Sequence, residues 1–175
     1  AQGKPIENAF VDRNGNGKID EGDRYLYKSP FAPVTMGFGT DLNYKNWDLN
    51  ITTRANIGNY VYNNTQSRLD QFGEITANSG FLRNIKANSN FQRHNDQSWL
   101  SDYYLENASF FKLDNITLGY TFPHTDKMYI RLYGTVQNVL TITKYSGLDP
   151  EVYGGIDNNF YPRPQTYLLG LNVNF

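Results

Sequence analysis

The sequence predicts an all-β fold of antiparallel strands, and three observations predict it. Five segments alternate apolar and polar residues with a period of two, the mark of a strand with one apolar face. The composition favours strands and turns over helices, with 15% aromatic residues, 14 Tyr and 11 Phe among them, beside many Asn and Gly. Short turns also alternate with long connections along the chain, as in hairpins that carry their loops on one side.

The strands follow in order. In "PVTMGFGTDLNYK" the residues Val34, Met36, Phe38, Leu42 and Tyr44 share a face, interrupted by Thr40, and the residues between them are small or polar. The run "NWDLNITTRANI" places Trp47, Leu49, Ile51, Ala55 and Ile57 on one face and Asn46, Asp48, Asn50, Thr52, Arg54 and Asn56 on the other. Only Lys45 and Asn46 separate the two runs, which predicts a tight hairpin. In "FFKLDNITLGYTFP", Ile116, Leu118, Tyr120 and Phe122 share a face. Phe111 and Leu113 fall out of phase with them, so a bulge near Asp114 or a segment outside the regular sheet is expected. After the turn "PHTDK", the run "YIRLYGTVQNV" puts Ile130, Leu132 and Val136 opposite Arg131, Tyr133, Thr135 and Gln137. The final run, "TYLLGLNVNF", alternates through Tyr167, Leu169, Leu171 and Val173 to a terminal Phe175.

The totals bound the function. A length of 175 residues suits one domain, and a net charge of −1 gives no strong attraction to nucleic acid or anionic lipid. Without cysteine there is neither a disulfide framework nor thiol chemistry. No apolar run is long enough for a helical membrane span. A membrane β-barrel is compatible with the mean hydropathy of −0.62, because its strands alternate and never look hydrophobic overall. The long connections run over roughly 1–33, 58–109 and 140–165, and a loop of about fifty residues is uncommon inside a compact domain. With the C-terminus in the periplasm they all fall outside the cell, and both short turns, 45–46 and 123–128, fall in the periplasm.

"DRNGNGKIDEGDRY", "FKLDNITLGYTFP", "VQNVLTITKYSGLDPEV" and "YPRPQTYLLGLNVNF" together resemble the C-terminal part of SusC/RagA-family TonB-dependent outer-membrane transporters. The resemblance covers nearly the whole chain and is most specific from "NITLGYTFP" through "TKYSGLDPEV". It implies about five C-terminal strands of a 22-stranded antiparallel transmembrane barrel with long extracellular loops. On this reading residues 1–175 are the C-terminal part of one barrel domain, with 1–33 an extracellular loop and 34–175 strands and loops. The plug and the other strands lie outside the chain. The resemblance further implies import of oligomeric nutrients, glycans or peptides, across the outer membrane of a Gram-negative bacterium. The implied partners are the rest of the barrel and plug, a SusD-like surface lipoprotein, outer-membrane lipid, and the TonB complex through the absent N-terminal region. The alternation ending in Phe175 (Tyr167, Leu169, Leu171, Val173, Phe175) then resembles the signal read by the outer-membrane assembly machinery.

Three groups of residues are candidates for chemistry. "DRNGNGKIDEGD" has calcium-loop spacing, with Asp12, Asn14 and Asn16 at alternate positions, Gly17 at the turn, the Lys18 carbonyl, Asp20 and Asp23. Asp23 reaches less far than the usual Glu, so weak Ca²⁺ binding that stiffens the loop is expected. Without flanking helices the loop is not a regulatory EF-hand, and the alternative is an Asn/Gly turn with no metal. In the loop 140–165, Tyr145, Tyr153, Phe160 and Tyr161 offer flat faces among Asp, Glu and Asn side chains, suited to sugar rings or peptides. The same aromatics also suit loop packing or a barrel rim, as do Trp99, Tyr103 and Tyr104. Asp41, Asn43, Arg54, Arg131 and Gln137 would line a lumen. No catalytic residue is expected: His94 and His124 stand in no motif, Asp149 and Glu151 are not placed across a cleft, and no serine has a nucleophile elbow. A secreted calcium-dependent β-sandwich, an adhesin or glycan-binding module, is the alternative to transport. It requires the apolar face to be buried in a water-soluble protein.

Overall fold

The structure is a computed structural model that describes residues 6, 9–76, 80–82, 84–87, 101–123 and 128–175. His94, Trp99 and His124, named above, lie outside the described residues. The chain forms two compact units. One comprises Phe31–Asn59, Asn107–Glu151 and Tyr161–Phe175, and the other Ala1–Pro30, Tyr60–Glu106 and Val152–Phe160.

The first unit is a five-stranded sheet of β1 (Val34–Tyr44), β2 (Trp47–Ile57), β5 (Phe110–Thr121), β6 (Tyr129–Thr143) and β7 (Thr166–Asn174), in the spatial order β1-β2-β5-β6-β7. Every pairing is antiparallel. Lys45 and Asn46 form the two-residue turn of the first hairpin, and Lys45 takes a positive φ of 53° there. The strands are 9 to 15 residues long, enough for the 9–11 residues a tilted strand needs to cross a bilayer.

The register aligns the alternation of all five strands. Leu42 pairs with Leu49, Leu49 with Leu118, Leu118 with Gly134, and Gly134 with Leu169, which sets their neighbours into one apolar face. The phase slip in β5 is a bulge. Thr52 pairs with Asn115 and Thr53 with Leu113, leaving Asp114 as the extra residue. On the other side Leu113 pairs with Leu140 and Asn115 with Gln137, with Asn138 of β6 at φ 54°. The bulge returns Phe111 and Leu113 to the apolar face, where they pair with Ala55 and Thr53, and turns Lys112 to the polar face beside Arg54. β6 runs on to Thr143, so the connection to β7 is shorter than expected from the sequence. The pairing with Phe110–Leu113 accounts for the extension.

The second unit holds the structure inside the long connection 58–109. That connection contains β3 (Tyr60–Tyr62), the helix α1 (Asn64–Leu69) and β4 (Leu105–Asn107), with β3 and β4 forming a two-stranded sheet. Asn63 caps α1: its Oδ1 accepts from the Gln66 amide at 2.9 Å, and its Nδ2 donates to Glu106 at 3.0 Å. The interior is small and polar. Val61 and Tyr104 are buried with Asn63, Ser67, Asp70, Gln71 and Asp157. The Tyr104 hydroxyl donates to Asp70 at 3.1 Å. Burial, reinforced by the Asp70 charge, pushes that hydroxyl far above the usual phenol range and keeps it a donor. The Tyr62 carbonyl accepts from the Asp157 amide at 2.9 Å, and the Asp157 carbonyl from the Thr65 amide at 3.1 Å, so backbone bonds join the pieces.

Candidate functional site

The sheet has two chemically distinct faces. The apolar face is exposed, not packed: Phe38, Leu42, Leu118, Leu132, Tyr167 and Leu171 are all exposed, and Leu169 is 88% exposed. A contiguous apolar surface of this kind marks an interaction with lipid or protein. At the end of this face next to the Lys45–Asn46 turn, Trp47 packs on Tyr120 with ring centroids 4.8 Å apart, and Tyr120 on Phe122 at 5.1 Å. Such an aromatic girdle sits where a barrel strand meets the membrane–water interface.

The polar face carries a hydrogen-bonded belt across four strands. Asn50 donates to Asp41 at 2.7 Å, and Asn115 donates to Asn50 and to Thr117, each at 3.3 Å. The hydroxyls of Thr117 and Thr135 lie 2.8 Å apart. Toward the hairpin turn, the Arg131 guanidinium holds Asp48 bidentately, with Nε donating to Oδ1 at 2.8 Å and Nη2 to Oδ2. This pair spans from β6 to β2 directly over Gly119 of the intervening strand. A Cβ at Gly119 would meet both partners and push the pair out of its present position.

Toward the bulge, six charges form one network. Lys112, 1% exposed, donates to Asp149 at 2.9 Å and to Glu151 at 3.1 Å. Arg54 donates to Asp114 at 2.8 Å, and to Glu151 through both terminal nitrogens. Arg163 donates to Glu151 at 2.7 Å and lies 3.8 Å from Asp149. Burial alone would raise the Glu151 carboxyl, but hydrogen bonds from Arg54 and Lys112 outweigh it and hold that group below the usual carboxylate range. Three cations meet three anions, so the cluster is neutral as a whole. Its bonds pin the segment Asp149–Glu151, with a fully buried Pro150, onto the sheet.

The residues expected from the sequence are placed as follows. Tyr145 is 5% exposed and its ring lies against Gly147, so it packs instead of presenting a face to a ligand. Tyr153, Phe160 and Tyr161 are exposed. Tyr167, Leu169, Leu171 and Val173 lie on the apolar face of β7, and Phe175 follows the strand fully exposed. The polar candidates Arg54 and Arg131 are engaged in ion pairs, not free. The charge network itself is not legible from the sequence, although one signal points to it. Placing a bulge at Asp114 turns Lys112 toward Arg54.

In the loop of Asp12–Asp23 the Asp12 carboxylate sits at the centre of the turn. It accepts from the amides of Gly15 and Gly17 at 2.7 Å and of Asn16 at 3.2 Å. Gly15 and Gly17 take φ values of 72° and 77°, which glycine tolerates without strain. Asn16 donates to Asp20 at 3.1 Å. The Asp23 carboxylate accepts from Asp20 at 2.9 Å and Arg13 at 2.8 Å, and these bonds hold it below the usual carboxylate range. Hard oxygen donors are the chemistry a calcium ion needs. Among the described residues no three acidic, His or Cys side chains converge as a metal cluster, and the carboxylates are turned to backbone amides.

No protein-family model matches the chain. It is 45% identical over 184 residues to the TonB-dependent receptor SusC of Bacteroides thetaiotaomicron, covering 99% of this chain and 18% of that protein. It is 33% identical over 190 residues to the TonB-dependent receptor P3 of Formosa agariphila, covering 95% and 19%. Among solved structures, the RagAB peptide transporter matches with a TM-score of 0.69 at 25% identity, over 91% of this chain and 20% of that one. The open-open state of the RagAB peptide importer matches with a TM-score of 0.61, over 86% and 18%. The chain thus spans about a fifth of the length of these relatives. On 45% identity across nearly all its residues, and on a fold shared with a second member, the chain belongs to the SusC/RagA family of TonB-dependent receptors.

Proposed function

We propose that the chain forms part of the barrel wall of an outer-membrane TonB-dependent transporter that imports oligomeric nutrients, glycans or peptides. The observation that carries this reading is the two-faced sheet. Its apolar face is exposed along five strands of membrane-spanning length, and its polar face carries a belt of hydrogen bonds and ion pairs. Lipid covers the first face and the transport lumen adjoins the second. A sandwich would bury the apolar face, and its side chains are exposed, so transport is favoured over a secreted module. The two edge strands, β1 and β7, leave unpaired backbone groups that a bilayer penalises by several kcal/mol each. Neighbouring strands of the same precursor, in a barrel of about 22 by family resemblance, satisfy them.

Energy comes from TonB acting on the plug outside this chain, and a SusD-like lipoprotein closes the extracellular side. Of the two cargo options, the peptide has support in the match to a peptide transporter, and the glycan rests on the resemblance read in the sequence. The loop of Asp12, Asn14, Asn16, Lys18, Asp20 and Asp23 binds Ca²⁺ weakly, the ion replacing backbone amides as the partner of the carboxylates and stiffening an extracellular loop. No catalytic step is assigned.

Single cysteines in the full-length protein test the reading. Tyr161→Cys should react with a membrane-impermeant maleimide on intact cells. Asn46→Cys should react only after the outer membrane is opened. Equal labelling of both positions on intact cells would overturn the topology.

A further inference from the structure

In the unit built on α1, a cleft of about 260 Å³ opens beside the helix, lined by Asn64, Arg68, Asn84, Asn158 and Asn159 among others. Its walls are held in place from below. The buried Asp157 accepts the Asn159 amide at 2.9 Å, and Asn159 takes φ 67°, a left-handed conformation that asparagine adopts more readily than most residues. Asn64 Nδ2 donates to Asn158 Oδ1 at 2.5 Å. That bond uses the acceptor of Asn158 and leaves its two amide protons available. Arg68 is exposed, and among the described residues it has no ion-pair partner.

The charge of these walls is one-sided. Beside Thr65 and Leu69 they present a guanidinium with five donors and several carboxamides, and among the described residues no lining residue is acidic. A ligand group that only accepts hydrogen bonds and carries negative charge satisfies such walls, and the guanidinium fork matches a carboxylate bidentately. The volume is below the usual range of a drug-sized pocket, about 300–1,000 Å³, so it takes one terminal unit and not a whole oligomer.

We propose that this cleft is a subsite for a carboxylate group, with Arg68 as the binding cation and the Asn158 amide as its neutral partner. Resting on the import reading, the carboxylate belongs to one unit of the transported oligomer. Two sources share this chemistry, a uronic acid residue and a peptide C-terminus.

Calorimetric titration of the full-length protein in detergent tests the subsite, using digalacturonic acid against its methyl ester, and trialanine against trialanine amide. One acid should bind about tenfold or more tightly than its neutral counterpart, as expected for charge-assisted hydrogen bonds. The acid that does so identifies the source. Arg68→Ala should abolish the preference, and Arg68→Lys should retain part of it. Arg68 is exposed, so both variants should fold, with heat-modifiable migration on gels as the check. Equal binding of acid and neutral probes, no binding of either acid, or an unchanged preference in Arg68→Ala would overturn the proposal. Cysteine labelling reads the import topology separately. If labelling fails while the Arg68-dependent preference persists, the import reading falls and the carboxylate subsite stands.

Discussion

Replacing Lys112 by Met isolates the buried charge at the centre of the network. The substitution keeps an apolar stem of similar length in a fully buried position and deletes only the ammonium. Two carboxylates lose a donor. Glu151 retains Arg54 and Arg163, whereas Asp149 is left with the Glu151 amide at 2.9 Å and Arg163 at 3.8 Å. Breaking a buried pair by removing one partner costs about 3–5 kcal/mol. The surviving arginines place the expected loss at the lower end, about 3 kcal/mol, which is roughly a hundredfold in an equilibrium constant. The assay is urea unfolding of the full-length protein in detergent, followed by tryptophan fluorescence, for wild type, Lys112→Met, Asp149→Asn and the double variant. The double variant removes both members of the most weakly backed pair, so it should recover part of the loss, with a coupling of about 0.5–3 kcal/mol. A Lys112→Met protein within about 0.5 kcal/mol of wild type would refute the argument. The pinned Asp149–Glu151 segment would then owe its position to Pro150 and to the Arg54 and Arg163 ion pairs.

Three further outcomes follow from the same structure. Because Glu151 ionises below its ordinary range in the folded protein, its contribution is fully present above the unfolded pKa of about 4.3 and is lost as pH falls through the folded value. The stability gap between wild type and Glu151→Gln should therefore be constant near neutrality and narrow as the medium is acidified below about pH 4; a gap that does not change with pH on acidification contradicts the assignment. Deleting Phe175, or substituting Asp for it, should lower the amount of folded full-length protein in the outer membrane several-fold, and normal levels of heat-modifiable barrel would dismiss the assembly-signal reading. The double substitution Asp12→Ala, Asp23→Ala should raise protease cleavage within 10–25 to the level that a calcium chelator produces in the wild type, while the barrel still assembles. Identical digestion of wild type with and without chelator would leave the loop a plain Asn/Gly turn.

The strands and their faces were readable because they depend on local periodicity. β1 and β2 occupy the predicted alternating runs, and the two residues between them allow only a tight antiparallel turn. Even the bulge at Asp114 was visible, as a change of phase between Leu113 and Ile116. Family resemblance in the sequence also reached as far as the relatives themselves, because wording and order are preserved over nearly the whole chain.

The short elements inside 58–109 escaped, for a physical reason. Strands of three residues and a helix of six have no period to detect, and such lengths are marginal alone. They exist because buried Asp157, Asp70 and Asn63 supply hydrogen bonds from distant points of the chain. For Tyr145 the sequence left ligand contact and loop packing both open, and folding buries its ring. The charge network shows the same limit. Lys112 and Arg54 could be assigned to the polar face from alternation and the bulge, but Glu151 lies 97 positions from Arg54 and 39 from Lys112. Local pattern specifies which side of a strand a charge occupies. Which opposite charge meets it there is decided only when the chain closes over that distance.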